Sequence, residues 1–141
     1  MMNEKDSNDK SDEFSTHHSS FSIAIPVRTF EFAIRVVRLC QFLEKQGKVS
    51  QTLANQLLRS GTSIGANTEE AQAGQSKADF IAKMSIARKE SRETLYWLKL
   101  LQATNLVETH MIKEIIQESD ELVRILTSIV KTAQQSKQHG K

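Results

Sequence analysis

Carboxylates and imidazoles are the groups of this sequence that could hold a metal ion or move protons. A di-iron site in a four-helix bundle uses glutamates and Glu-x-x-His pairs, in which a histidine follows a glutamate by three residues. No histidine of the chain has a glutamate at that position, whether His17, His18, His110 or His139. The sequence therefore excludes a di-iron site of this type.

The adjacent Glu69 and Glu70 allow a second enzymatic hypothesis. Magnesium-dependent nucleotide pyrophosphohydrolases of the all-α type carry an EExxE motif followed by ExxD. Here Ala73 replaces the third acid, and Glu90 with Glu93 only approximates the second half. A Mg²⁺ cluster that lacks one carboxylate loses much of its affinity for this hard cation. Cys40 and the serines have no histidine at a sequence-predictable relation, and no glycine-rich phosphate loop follows a strand. We therefore predict no enzyme, no metal site and no cofactor.

Basic side chains form stripes on two predicted helices. The stripes consist of Arg28, Arg35, Arg38 and Lys45 on the first helix and of Arg88, Arg92 and Lys99 on the third. Rows of arginine and lysine can bind RNA or DNA by displacing counterions from the phosphates. We therefore predict weak nucleic-acid binding at these positions. The alternative is a pair of solvated faces with local ion pairs, such as Glu31 with Arg35.

A row of polar residues follows one face of the second predicted helix at helical spacing. The loop after this helix is so short that two antiparallel helices must pair residues whose numbers sum to roughly 150 to 153. This register pairs Arg59 with Glu93 and Glu70 with Lys83. Because buried polar groups need partners, we predict a structural network of Arg59, Ser63, Asn67, Glu70, Lys83 and Glu93. A catalytic or ligand site is the alternative.

Helices must position all these residues, because one proline and five glycines in 141 residues leave few turns for a sheet. Apolar periodicity predicts four helices in an all-α domain. The first runs from about Thr29, as N-cap, to Gln46. The second runs from Ser50, also an N-cap, to Ala73. Ser76 caps the third and the fourth starts near Thr109.

The first helix is more apolar than one core requires. Ten of its eighteen residues are apolar, whereas a bundle core needs only about three positions in seven. The fourth helix also has an apolar seam that is wider than one core requires, so we predict self-association.

In the second helix Gly61 and Gly65 each cost about 1 kcal/mol relative to alanine, and we predict that close approach to a neighbouring helix offsets this cost.

The chain ends are polar and carry the acidic charge. Residues 1–24 are predicted to be a disordered, acidic, serine-rich tail whose last residues lead in extended form to Pro26, and residues 136–141 are predicted to fray. Residues 1–27 have two basic and five acidic side chains, so residues 28–141 have 17 basic and 12 acidic ones, a net charge of +5. The single cysteine, Cys40, permits no intrachain disulfide. With no visible export signal or membrane span, we predict a cytoplasmic protein without a membrane partner.

The run QLLRSGTSIGANTEEA, followed by SKADFIAKMSIARKESRETLYWLKLL, closely resembles the four helix bundle protein family, also called the 23S rRNA intervening-sequence protein family. The resemblance covers about Arg28 to Lys131. It is carried by Gln56, Arg59, Ser60, Ser63, Ile64, Asn67, Glu70, Ala71, Ser76, Asp79, Phe80, Ala87, Glu93 and Trp97.

This resemblance implies an antiparallel up-and-down four-helix bundle, here over residues 25–135, that assembles into a homopentameric ring. Members of the family are encoded in insertions within 23S rRNA genes or elsewhere and have no established biochemical activity. They are similar to the accessory variability determinant proteins of retroelements, which bind nucleic acid and partner a reverse transcriptase. The implied partners are therefore other copies of the chain, RNA or DNA, and a reverse transcriptase. A protein-interaction ring that binds no nucleic acid is the alternative.

Overall fold

Four helices in sequence make up the chain. The computed structural model describes the backbone of residues 9–139 and the side chains of residues 24–136. The helices are α1 (Asp9–Glu44), α2 (Lys48–Gln72), α3 (Lys77–Ala103) and α4 (Thr109–His139), and the described residues include no strand. Each helix packs against the next, and α4 closes the bundle through a sparser contact with α1. The fold is therefore all-α. Because short loops join successive helices, neighbouring helices run antiparallel and form an up-and-down four-helix bundle.

The core follows the apolar seams of the helices. The seam of α4 is buried at Ile112, Ile115, Ser119, Leu122 and Leu126, after which Val130 is buried and Ile129 only half-buried. This change of residue is expected, because a straight helix has 3.6 residues per turn and drifts against a seven-residue repeat. Fully buried side chains from all four helices include Phe32, Val36, Leu43, Leu57, Ile64, Met84, Leu98, Leu101, Ile112 and Leu122.

The loops show which predicted caps form. The Ser76 side chain accepts a hydrogen bond from the Asp79 backbone N–H at 3.1 Å, which confirms the cap of α3. The cap predicted at Ser50 is wrong, because α2 begins at Lys48 and the buried Ser50 lies inside its first turn. Gly47 precedes α2 with φ 116°, a conformation that glycine adopts without the strain of a side chain.

The start of α1 differs from the sequence prediction. The extended lead-in before Pro26 is wrong, because α1 begins at Asp9 and contains this proline. Thr29 is likewise no N-cap: it is buried inside the helix, where its hydroxyl donates to the Ile25 carbonyl oxygen at 2.9 Å. Ile25, directly before the proline, is itself buried in the core, and this burial favours the helical path of the chain.

The two chain ends are only partly described. Residues 1–8 of the predicted tail and residues 140 and 141 of the predicted frayed end lie outside the described residues. Helical backbone extends from Asp9 at one end to His139 at the other. The disorder and fraying inferred from composition stay predictions.

The glycines of α2 face α1, as the sequence predicts. A Cβ atom on Gly61 would lie 2.8 Å from Cγ1 of Val36, and one on Gly65 would lie 3.3 Å from the Thr29 carbonyl oxygen. The first distance is far shorter than an ordinary contact between carbon atoms, which lies near 3.5–4.0 Å, and the second is also tighter than most contacts of a Cβ atom. Close approach of α1 therefore explains why α2 carries glycine at both positions.

Candidate nucleic-acid interface

The basic stripe of α1 is partly neutralised by α4. A guanidinium nitrogen of Arg28 lies 3.1 Å from Glu118 and 3.4 Å from Glu121, and Arg35 lies 3.9 Å from Glu114. Arg38 and Lys45 are exposed and have no ion-pair partner among residues 24–136. The stripe predicted on α1 therefore separates into two arginines that join helices and two cations that face solvent.

Arg28, Glu118 and Glu121 join α1 to α4, the two neighbouring helices with the sparsest contact in the bundle. Burial by itself would lower the pKa of Arg28, but the hydrogen bond and charge of Glu118 and the charge of Glu121 outweigh it and raise the pKa. The guanidinium therefore stays charged and engaged with α4. Arg28 is poorly placed to leave these carboxylates for a phosphate.

The basic side of α3 is free of such pairing. Arg92 and Lys99 are exposed, Arg88 is half-buried, and Lys89 adds a fourth cation that the sequence prediction missed. No acidic side chain of residues 24–136 lies within ion-pair distance of any of the four. We call Arg88, Lys89, Arg92 and Lys99 the α3 basic face. Lys89 precedes Arg92 by three residues and Lys99 follows it by seven. Both spacings return to the same side of a helix, so the sequence could have indicated the additional lysine.

Arg59 of α2 explains why the α3 basic face is not neutralised by its own helix. Arg59 pairs with Glu90 at 3.3 Å and also with Glu93. These two glutamates are the nearest acids along α3 to Arg88, Lys89 and Arg92. Their pairing with Arg59 partly offsets the acidic charge beside the α3 basic face, where Glu93 lines the same groove as Arg88, Lys89 and Arg92.

The polar row of α2 does not form the buried network that the sequence suggests. The register prediction holds for Arg59 and Glu93, but the Arg59 side chain is 52% exposed. Asn67 donates to the carbonyl oxygen and the hydroxyl of Ser63 within α2. Glu70 is exposed and Lys83 half-buried, and among the described residues no ion pair joins them.

A buried hydrogen bond that the sequence analysis missed lies one position further along each helix. The Thr94 hydroxyl donates to the Ser60 hydroxyl at 2.9 Å, and both residues are fully buried. The numbers of Ser60 and Thr94 sum to 154, just outside the range of 150 to 153 that the short loop predicts, so the register arithmetic did not indicate this pair. Among the described residues, α2 and α3 are thus joined by this buried hydrogen bond and by the ion pairs of Arg59 with Glu90 and Glu93.

The exposure of Arg59 sets the expected effect of removing its ion pair. We expect Arg59→Ala and Glu93→Ala each to lower the free energy of unfolding by about 1 kcal/mol or less, because exposed pairs contribute little. Urea unfolding followed by circular dichroism measures the change. A loss of several kcal/mol in either variant would show that the pair behaves as a buried one.

Cys40 lines a groove between α1 and α2 but lacks the properties of a nucleophile. Its sulfur is buried and lies 3.4 Å from the Ala54 carbonyl oxygen. Burial, with the nearby Glu44 carboxylate, raises the pKa of the Cys40 thiol to about 11. Near neutral pH the group is therefore a thiol, whereas the thiolate is the reactive form.

The raised pKa predicts slow alkylation of the native protein. At pH 8 we expect iodoacetamide to modify Cys40 much more slowly in the folded chain than in urea, because an unfolded thiol has a pKa of about 8.5. Mass spectrometry of timed samples measures both rates. Equal rates would contradict the burial of the thiol.

A row of apolar side chains on α1 faces solvent. Val27, Phe30, Ile34 and Val37 follow one another at spacings of three and four residues, and Leu58 of α2 lies beside Val37 in the groove next to Cys40. We call these five residues the α1 apolar strip. Phe30 is 64% exposed. An exposed row of apolar side chains of this kind can serve as a protein interaction site.

Other kinds of site lack support in the part of the chain that can be described. The described residues contain no cluster of three or more His, Cys, Asp or Glu side chains suited to a metal ion. Over the same residues no helix is both long and apolar enough to cross a membrane.

Comparisons with known proteins agree with the bundle and its sequence pattern. The model of the family described as 23S rRNA-intervening sequence protein matches residues 23–128. A crystal structure from Bacteroides thetaiotaomicron, of a protein with unknown function from the S23 ribosomal protein family, has 43% sequence identity and a TM-score of 0.72. The match covers 79% of this chain and 98% of that chain. No curated protein sequence matches. With most of the bundle matched in sequence and in structure, the chain belongs to the 23S rRNA-intervening sequence protein family.

Proposed function

We propose that this protein is a non-enzymatic, cytoplasmic accessory protein that assembles into a closed ring and binds RNA or DNA weakly. The observation that carries the proposal is the α3 basic face, whose four cations have no acidic partner among the described residues. The resemblance to retroelement accessory proteins favours a pentamer and a reverse transcriptase as the protein partner.

Assembly is supported by the α1 apolar strip. Its side chains would lose water contact against a second copy, and burial of a large apolar side chain contributes about 1.5–3 kcal/mol. A ring requires two different surfaces that meet through a rotation that closes. The strip would supply one of these surfaces in every copy.

Assembly also strengthens the electrostatic case for nucleic acid. Residues 28–141 carry a net charge of +5, so five copies would bring about +25 to one particle before the acidic tails are counted. Phosphates that meet several cations together release counterions, and this release drives binding. Affinity should therefore fall steeply as salt is added.

Two matched charge reversals test which helix binds. We expect Arg92→Glu with Lys99→Glu, on α3, to weaken binding of labelled single-stranded RNA at least tenfold at 50 mM salt. Loss of two phosphate contacts should also reduce the log–log salt slope by about 1.4. The control is Arg38→Glu with Lys45→Glu on α1, which changes the net charge equally and also replaces exposed residues.

Fluorescence anisotropy between 50 and 200 mM salt measures both quantities, after size-exclusion chromatography has shown that each variant keeps the wild-type assembly. Equal weakening by the two reversals would mean that the α3 basic face has no special role, and that both helices or the net charge attract the nucleic acid. No binding by the wild-type protein at the lower salt would favour the protein-interaction ring.

A further inference from the structure

We propose that the α3 basic face takes single-stranded nucleic acid and that Tyr96 is the platform on which one base stacks. This inference rests on the proposed nucleic-acid binding and adds the class of ligand. Tyr96 lies between Arg92 and Lys99 in the sequence and is 59% exposed. It is the most exposed aromatic side chain of α3.

The Tyr96 ring has a support beneath it. It meets the ring of Trp97 edge to face, with centroids 5.1 Å apart and an interplanar angle of 73°. Trp97 is half-buried against the core, and its indole N–H donates to Glu93 at 3.4 Å. Because Glu93 is also paired with Arg59, the ion pair between α2 and α3 helps to fix the tryptophan on which the tyrosine rests. A supported ring loses less conformational freedom when a base stacks on it.

Cations flank the ring along the helix axis. Lys89 and Arg92 precede Tyr96 by seven and four residues, and Lys99 follows it by three, so all four residues lie on one side of α3. From Lys89 to Lys99 the helix rises about 15 Å. This length can face several phosphates of one strand while the ring contacts a base.

Stacking distinguishes a single strand from a duplex. Bases inside a duplex are covered on both faces by their neighbours, whereas bases of a single strand can turn out and stack on an aromatic side chain. Stacking is indifferent to the identity of the base. We therefore expect little sequence preference, and both RNA and DNA strands qualify as ligands.

The test compares Tyr96→Ala and Tyr96→Phe with the wild-type protein. The probes are fluorescein-labelled 15-nucleotide RNA and DNA strands of one sequence and the corresponding DNA duplex, all at 50 mM salt. We expect Tyr96→Ala to weaken binding of both single strands about five- to a hundredfold, with no effect on the duplex. Tyr96→Phe keeps the ring and should bind like the wild-type protein.

The salt slope separates stacking from charge. Tyr96→Ala should keep the wild-type slope, because it removes no cation, whereas the α3 charge reversal should lower it. If Tyr96→Ala binds single strands like the wild-type protein while the charge reversal does not, the stacking inference is wrong and the proposed function stands. If the wild-type protein binds none of the three probes, both the stacking inference and the proposed nucleic-acid binding are wrong. A change of oligomeric mass in Tyr96→Ala would instead show that this face is a contact between copies of the chain, and the stacking inference would be wrong.

Discussion

Replacing Phe32 with alanine should unfold much of the protein, whereas the same replacement at Phe30 should leave the bundle folded and separate its copies. The two residues lie two positions apart on α1, but Phe32 is 1% exposed and Phe30 is 64% exposed. Removing a buried phenylalanine costs about 3–5 kcal/mol, through lost burial and the cavity left behind. That is a large part of the stability of a small domain.

Circular dichroism and size-exclusion chromatography at the same protein concentration distinguish the two outcomes. Phe32→Ala should lose helical signal or unfold at a much lower urea concentration. Phe30→Ala should keep its helical signal and elute as a smaller species, because it removes the largest side chain of the α1 apolar strip. Wild-type elution of Phe30→Ala would mean that the strip does not hold copies together.

Replacing Gly61 should destabilise the fold although alanine normally favours a helix. An alanine in place of a helical glycine gains about 1 kcal/mol, but the new Cβ would lie 2.8 and 2.9 Å from the two γ carbons of Val36. Valine cannot turn away easily, because its branched Cβ restricts its rotamers. We expect Gly61→Ala to cost about 1–3 kcal/mol, the range for overpacked cores, and Gly61→Val to cost more.

A double variant attributes this cost to the proposed contact. Val36→Ala makes room for the added methyl group, so Gly61→Ala should be less harmful in that background than in the wild-type protein, as measured by urea unfolding. Gly65→Ala is a comparison with a milder steric conflict, since its Cβ would lie 3.3 Å from the Thr29 carbonyl oxygen. Stabilisation by Gly61→Ala would contradict the close approach of α1.

Sequence reasoning succeeded where the chain itself restricts the geometry. Across the short loop between α2 and α3, the register correctly pairs Arg59 with Glu93, and the Ser76 cap forms as predicted. The same arithmetic did not establish burial. Arg59 lies at the edge of the contact between the helices, and the internal position one residue further is filled by Ser60.

The contact between α1 and α4 could not be predicted in this way. No loop joins these helices directly, so no register follows from a loop length, and the pairing of Arg28 with Glu118 and Glu121 was missed. The same limit applies to α1 near Pro26, where the local preference predicts extended chain and the burial of Ile25 favours a helix. In both places, packing between distant parts of the chain decides the structure.

Native mass spectrometry with a short single-stranded oligonucleotide tests the central claim most directly, because one spectrum reports both assembly and binding. In about 50 mM ammonium acetate, a concentration at which charges are only partly screened, we expect one dominant oligomer, a pentamer, that carries the oligonucleotide. The α3 charge reversal should give the same oligomer without it. A wild-type monomer at micromolar concentration would overturn the proposed assembly, and a wild-type oligomer that remains free of oligonucleotide would overturn the proposed nucleic-acid binding.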